Sequence, residues 1–381
     1  MTEPFGAYVH LPYCPYKCHY CDFNAYRLPR AEGARADMAQ AIASEIAQAP
    51  GLDASRRVTS IFFGGGTPSL FRPGEIRAII EALRSRYDVS SAAEVTLECN
   101  PGTVDLSSLR ALRRAGVNRL SIGAQSFSAE TLRRIGRLHT PEETRDAVRA
   151  ARAAGFNNIS LDVIYGLPGE APEDSLRSVQ EAISLGIEHL SAYALELESG
   201  TLFGRLAARG ELPLPQEEDV VRAGDLVAQA CERAGLARYE VSNFARSGRR
   251  ARHNMLYWHQ GSYRGFGPGA HSHLFGRRFW NVSPPGEYLR RVAAGGEAVE
   301  DEEVLSPTAQ MGEWVYLRLR LSEGFSLASF ARRFGRPLDA AYPGVRETLC
   351  AQGLLEAVPL WVRPTPKGRW LLHRVAEPFL A

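Results

Sequence analysis

Short apolar runs alternate with amphipathic stretches through the first half of the chain. Runs at residues 7–11, 58–63, 94–98, 119–123, 159–164 and 189–195 have the length and composition of buried strands. Between them, apolar positions recur at helical spacing over residues 37–49, 73–86, 107–115, 140–154 and 172–185. Gly116, Gly155 and Gly186 follow three of these segments, where a left-handed residue commonly ends a helix. This βα alternation predicts a parallel sheet with helices outside it. The strand ends choose between an open sheet and a barrel. Cysteines follow the first run and "GGGTP" the second, while Glu98, "GAQSF" and "LDVIYGLPG" end the next three. A barrel gathers its site from the carboxyl ends of all its strands, a doubly wound sheet mainly at one switch point. The expected fold class is therefore α/β, a partial six-stranded (β/α)6 barrel over residues 1–200.

Beyond residue 200 the pattern changes. A helix is expected over residues 217–234, followed by "YEVSNFA" and a loop region rich in glycine, histidine and aromatics at residues 248–280. Helical spacing returns from residue 306. The stretch "LLEAVPLWVRPTPKGRWLLHRV" then reads as two short strands around a turn and a last helix. The expected division is a core at 1–200, an extension at 201–300 and a winged-helix-like domain at 301–381.

Composition narrows the function classes. With 45% hydrophobic and 23% charged residues the chain is globular, and it has no apolar run of membrane-spanning length. The N-terminus lacks the order of a signal peptide, so a cytoplasmic location is expected. A net charge of +2 is too balanced for a polyphosphate-binding face, and the basic residues of the tail are not grouped on one recognition helix. No nucleic-acid partner is expected. Lys17 and Lys367 are the only lysines, leaving almost no candidate for Schiff-base chemistry.

Three of the six cysteines, Cys14, Cys18 and Cys21, share one loop, which is not the distribution of a disulfide framework. Cys99, Cys231 and Cys350 read as buried thiols. The loop is spaced C-x3-C-x2-C, carries Pro12 and Pro15, and is flanked by Tyr13, Tyr16, Tyr20 and Phe23. Zinc would need a fourth ligand, and His19 lies between two cysteines, where neighbours rarely point the same way. Three thiolates on a four-iron cluster leave one iron open to an outside ligand. The iron–sulfur reading leads and zinc stays as its alternative. The glycines of "GGGTP" allow backbone to approach a ligand closely, although a bland turn explains them too. The run is not a P-loop, because the Lys and Ser or Thr are missing.

Together, C-x3-C-x2-C after the first strand and "GGGTP" after the second resemble the radical S-adenosylmethionine (SAM) superfamily. More narrowly the chain is similar to its coproporphyrinogen dehydrogenase and HemW group, through "ECNPGT", "RLSIGAQSF", "ISLDVIYGLPGE", "LSAYALELESGT", "YEVSNFA" and "HNMLYW" in the same order. The resemblance implies a radical-SAM-type barrel in which Cys14, Cys18 and Cys21 hold a 4Fe-4S cluster and SAM chelates the open iron. It further implies SAM contacts from Tyr8, the backbone near Tyr20, Gly65, Gly66, Thr67, Glu98, Gln125, Arg137 and Asp162. Read bottom-up, Glu98 and Gln125 end strands, Arg137 suits a carboxylate, and Asp162 is an acid inside an apolar strand. The bland readings are a surface charge for Arg137 and a structural hydrogen bond for Asp162.

Within the group, the dehydrogenases carry a further cysteine two residues after the third, where this chain has Phe23, and an N-terminal arm before the cluster. Both departures point to the haem-chaperone branch. So does "RHNMLYW", because H-N-x-x-Y-W is that branch's signature. The resemblance implies haem as bound cargo, with His253 as its iron ligand supported by Tyr257 and Trp258; the stretch "GFGPGAHSH" adds His271 and His273 as weaker ligand candidates, unless its glycines only mark a tight loop. Arg246, Arg249, Arg250 and Arg252 suit the two propionates by guanidinium geometry, with a solvated charged face as the bland reading. A core histidine in an aromatic cluster is the plain alternative. Haem-acceptor proteins are the implied partners, with room for peripheral membrane association and a homodimer. The competing function is an oxygen-independent coproporphyrinogen III dehydrogenase, which converts propionates to vinyl groups by radical chemistry.

Overall fold

The computed structural model describes residues 3–51, 56–274, 276–296 and 298–380. The six expected strands form as Glu3–Leu11 (β1), Arg56–Gly65 (β2), Val89–Cys99 (β3), Arg119–Gln125 (β4), Ile159–Tyr165 (β5) and His189–Ala194 (β6). They lie side by side in chain order, all parallel. Helices Ala34–Gln48, Pro73–Arg86, Leu106–Ala115, Pro141–Ala153 and Pro172–Ser184 form between them. Their ends follow local chemistry. Asp105 and Thr140 accept hydrogen bonds from the backbone N–H of Ser108 and Glu143, and Pro73, Pro141 and Pro172 take the first turn. Gly116, Gly155 and Gly186 adopt positive φ after the helices, as expected.

Side chains along a strand alternate between faces. Val9, Leu11, Ile61, Phe63, Leu97, Leu120, Ile122, Leu161 and Val163 join one buried cluster with Ile42, Ile79, Leu83, Leu112 and Val179 of the helices. Each such burial contributes about 1.5–3 kcal/mol. The alternate positions, among them Tyr8, Ser60, Glu94, Glu98, Ser121, Ser160 and Asp162, are left for the other face. The polar side chains of the strands thus share one face of the sheet.

The sheet does not end at six strands. Further strands form at Ala237–Arg238 (β7), Asn243–Ala245 (β8), Ser262–Phe266 (β9), His271–Leu274 (β10), Arg277–Asn281 (β11) and Val299–Val304 (β12). The twelve strands run in the order β12-β11-β10-β9-β1-β2-β3-β4-β5-β6-β8-β7. Parallel β9 pairs with β1 and antiparallel β8 with β6, so downstream strands occupy both edges that a closed six-stranded barrel would join. The region at residues 248–280, expected as loop, is therefore largely regular: helix Arg252–Trp258 and three strands. Glycine misled the reading there. A Cβ on Gly265 would lie 2.3 Å from the His271 carbonyl oxygen, so that glycine marks close strand packing.

The C-terminal region is mainly helical and has its own apolar cluster, including Trp314, Val315, Phe325, Phe330, Leu349, Val362 and Phe379. The two strands expected around a turn there meet only at one bridge, Leu355 to Pro364, while Trp361–Val362 pairs with Phe325–Ser326. This region is tied to the rest through the Ser322 N–H on the Tyr239 carbonyl and through Arg320, which reaches the buried Glu240 and lies over the Trp258 ring. Among the described residues, no helix is long and apolar enough to cross a membrane.

Candidate cofactor site at the strand ends

The cysteine loop leaves β1 and is clamped by protein contacts alone. Tyr13–Cys14 pairs with Tyr26–Arg27. The His19 N–H donates to the Ile135 carbonyl, its ring lies 3.0 Å from the Arg134 carbonyl, and the Phe203 N–H donates to the His19 carbonyl. A Cβ on Gly136 would press on the His19 ring at 2.8 Å, so a glycine with φ 77° makes that turn. Tyr20 packs on Leu132, Ile135, Ile164, Leu167 and Phe203. The loop thus presents Cys14, Cys18 and Cys21 as three free, half-buried thiols. Burial raises the pKa of Cys14, and that of Cys21 to about 11.

A hydrogen-bonded arc joins two of these thiols. Cys14 Sγ lies 3.2 Å from Thr67 Oγ1, which accepts from Asn100 Nδ2 at 3.1 Å. Asn100 Oδ1 in turn accepts from Arg137 Nη2 at 2.7 Å, and Arg137 Nη1 lies 3.8 Å from Cys18 Sγ. The same guanidinium donates to the Gly123 carbonyl at 2.7 Å and reaches His139 Nδ1 at 3.4 Å. Arg137 is therefore a buried, oriented cation, not a surface charge. Asn100 escaped the sequence reading, although the criterion that selected Glu98, a polar residue at a strand end, applies equally to it.

"GGGTP" packs against the cysteine loop. The N–H groups of Gly66 and Thr67 donate to the carbonyls of Leu11 and Tyr13. A Cβ at Gly66 would lie 2.6 Å from the Tyr13 carbonyl oxygen, and Gly65 has φ 108° beside the His10 ring. Tyr8 donates to His10 Nδ1, whose Nε2 donates to the Asn24 carbonyl. Across from them, burial and the neighbouring Asp162 raise the pKa of Glu98 to about 8, although a hydrogen bond from the Gly65 N–H opposes the shift. Asp162 accepts from Ser121 Oγ at 3.0 and 3.1 Å, and burial raises its pKa also. Gln125, at φ 64° at the end of β4, brings its side-chain amide beside Gly123, where an added Cβ would lie 2.9 Å from Gln125 Nε2 and 3.3 Å from Arg137 Nη2. Tyr8, Glu98, Gln125, Arg137 and Asp162 thus gather around the inner face and mouth of one sheet.

The "HNMLYW" helix sits elsewhere, packed against the middle of β1 and β2. His253 is only 1% exposed. Its Nδ1 lies 2.9 Å from Ser60 Oγ, its Nε2 lies 2.7 Å from the Tyr257 hydroxyl, and its N–H donates to Glu94. Burial first, and Arg119 next, lowers its pKa to about 3. In this arrangement neither ring nitrogen is open to an iron. Trp258 lies under Arg320. Tyr257 alone of the three reaches a cavity of about 340 Å³, which is also lined by Tyr8, Phe23, Gly65, Glu98, Tyr263 and His271. Of the arginines expected at the propionates, Arg250 pairs with Glu323, and Arg246 donates to the Ile187 carbonyl.

Among the described residues, no three His, Cys, Asp or Glu side chains converge on one ion position. A cubane cluster asks for something different, one thiolate on each of three irons. Three thiols outside any disulfide on a clamped loop, a glycine segment with no room for side chains and a buried guanidinium beside Cys18 are compatible with such a cluster.

The Radical SAM superfamily matches residues 8–182, and the HemN C-terminal domain matches residues 305–371. Heme chaperone HemW of Bacillus subtilis is 36% identical, over 98% of this chain and 99% of the relative. Heme chaperone HemW of Escherichia coli is 34% identical, over 99% of this chain and 98% of the relative. Among solved structures, coproporphyrinogen III oxidase (HemN) from Escherichia coli superposes with a TM-score of 0.86 at 23% identity, covering 99% of this chain and 90% of the other, a likeness of fold. The chain is a member of the radical SAM superfamily and, within it, belongs to the HemW family.

Proposed function

We propose that this protein is a haem chaperone: it binds haem on a radical SAM scaffold and delivers it to acceptor proteins, including acceptors at the membrane. The observation that carries the reading is the shared cavity. In it, strand-end residues Tyr8, Gly65 and Glu98 meet Tyr257, Tyr263 and His271 of the downstream segment, with Phe23 on the lip, 66% exposed, where the dehydrogenases carry a cysteine. Cys14, Cys18 and Cys21 would hold the 4Fe-4S cluster. Tyr8, Tyr20, Gly65, Gly66, Thr67, Glu98, Gln125, Arg137 and Asp162 would form the SAM site. When bound, the cluster and SAM would supply one-electron reduction of a sulfonium. The chain's own part is to orient: Asn100 and the Gly123 carbonyl hold Arg137 toward a carboxylate, and Thr67 holds Cys14. The "HNMLYW" helix contributes to the haem site through Tyr257, whose hydroxyl His253 holds. On this reading residues 1–200 form the partial six-stranded barrel, 201–300 the cargo-binding extension and 301–381 a winged-helix-like docking domain.

One sample decides between chaperone and dehydrogenase. The protein, reconstituted anaerobically with iron and sulfide, is titrated with haem and then assayed with coproporphyrinogen III. Stoichiometric haem binding without turnover is the expected result. Formation of protoporphyrinogen with SAM consumption would assign the dehydrogenase instead.

A further inference from the structure

The nine histidines sort by what their rings touch. His10, His139, His189 and His253 have both ring nitrogens hydrogen-bonded. His19 and His273 each have Nδ1 against a backbone carbonyl. Among the described residues, His259, His271 and His373 make no ring hydrogen bond, and of these His271 alone lines the cavity. It is also exposed. Its ring stacks on Trp280 at 5.6 Å between centroids and 25° between planes, which orients the imidazole without consuming a lone pair. Partial desolvation of its ring and the nearby Arg278 lower its pKa, favouring the neutral form that binds metals.

The surroundings suit a flat aromatic ligand. Tyr8, Tyr257 and Tyr263 line the cavity with Phe23, and aromatic side chains offer planar contact at low conformational cost. The segment is fixed to the cysteine loop: Asn24 Nδ2 donates to the carbonyls of Pro268 and Ser283 at 3.1 and 3.2 Å. A Cβ on Gly269 would lie 2.3 Å from that amide, so this contact requires glycine.

We propose that His271, oriented by Trp280, is the axial ligand of haem seated in this cavity, and that His253 supports the wall without touching the iron. The inference rests on the haem-chaperone reading and names the ligand within it. The test is anaerobic titration of the reconstituted full chain with ferric haem, read by the Soret band and by electron paramagnetic resonance. His271→Ala should lose the imidazole-ligand signature and weaken binding by about tenfold or more, and added imidazole should restore the signature. His259→Ala, which removes a free imidazole elsewhere, should change neither. His271→Ala with the parent signature and affinity would overturn the assignment, above all if His253→Gln loses them. A parent chain that takes up no haem would overturn the chaperone reading itself, and the ligand assignment with it.

Discussion

The mouth of the sheet and the interior beneath it hold similar residue types in opposite conditions. At the mouth, none of the three thiols is in a disulfide, His271 makes no ring hydrogen bond, and Arg137 is aimed by Asn100. Beneath it, His253 is bonded on both nitrogens to Ser60 and Tyr257, and His189 to Ser160 and Tyr239. A buried polar group with all its partners contributes to a single packed state, and one without them is available to a ligand. Among these histidines, hydrogen-bond saturation, not residue identity, separates the packed rings from the open one.

The comparison can be broken most severely at the thiols. Cys18→Ser should abolish retention of a four-iron cluster, measured as iron and sulfide per chain after anaerobic reconstitution, while far-ultraviolet circular dichroism stays that of the parent. Full iron and sulfide in that variant would remove the cluster from this loop.

A smaller effect belongs to the interior. His253→Ala empties a buried site and strands Ser60 and Tyr257, at a cost on the order of 3 kcal/mol, so its denaturant midpoint should fall clearly. The exposed His271→Ala should leave the midpoint near the parent value. Equal midpoints for the two variants would erase the distinction between plug and mouth.

The smallest effect sharpens the comparison through pH. Glu98 has its pKa raised to about 8 by burial and Asp162, so between its ordinary value and 8 the folded chain holds a proton that the unfolded chain releases. Stability contributed by this group therefore falls as pH rises through that window. Glu98→Gln should raise the melting temperature of the cluster-free chain at pH 8.5 and change it little near pH 5. An unchanged difference across that range would show Glu98 to be ionised when folded.

Much of the core was legible. Strand and helix periodicity placed six strands and five helices to within a few residues at most ends, because an apolar stripe facing helices writes itself into the spacing. The cysteine loop was legible because C-x3-C-x2-C is local. The edges of the sheet were not. Residues 248–280 read as loop, since glycines such as Gly265 that permit close strand packing look the same in sequence as glycines that end structure.

By itself, then, the sequence determined the parallel core, the thiol spacing and the strand-end polar residues, all set by neighbours a few positions apart. Tertiary structure alone decided which histidine is open. His253 and His271 both sit in aromatic-rich stretches, but Ser60 and Glu94, contributed by β2 and β3, bury one, while β10 carries the other to the cavity. Long-range contacts settle burial and hydrogen-bond saturation, and these control whether an imidazole lone pair is available.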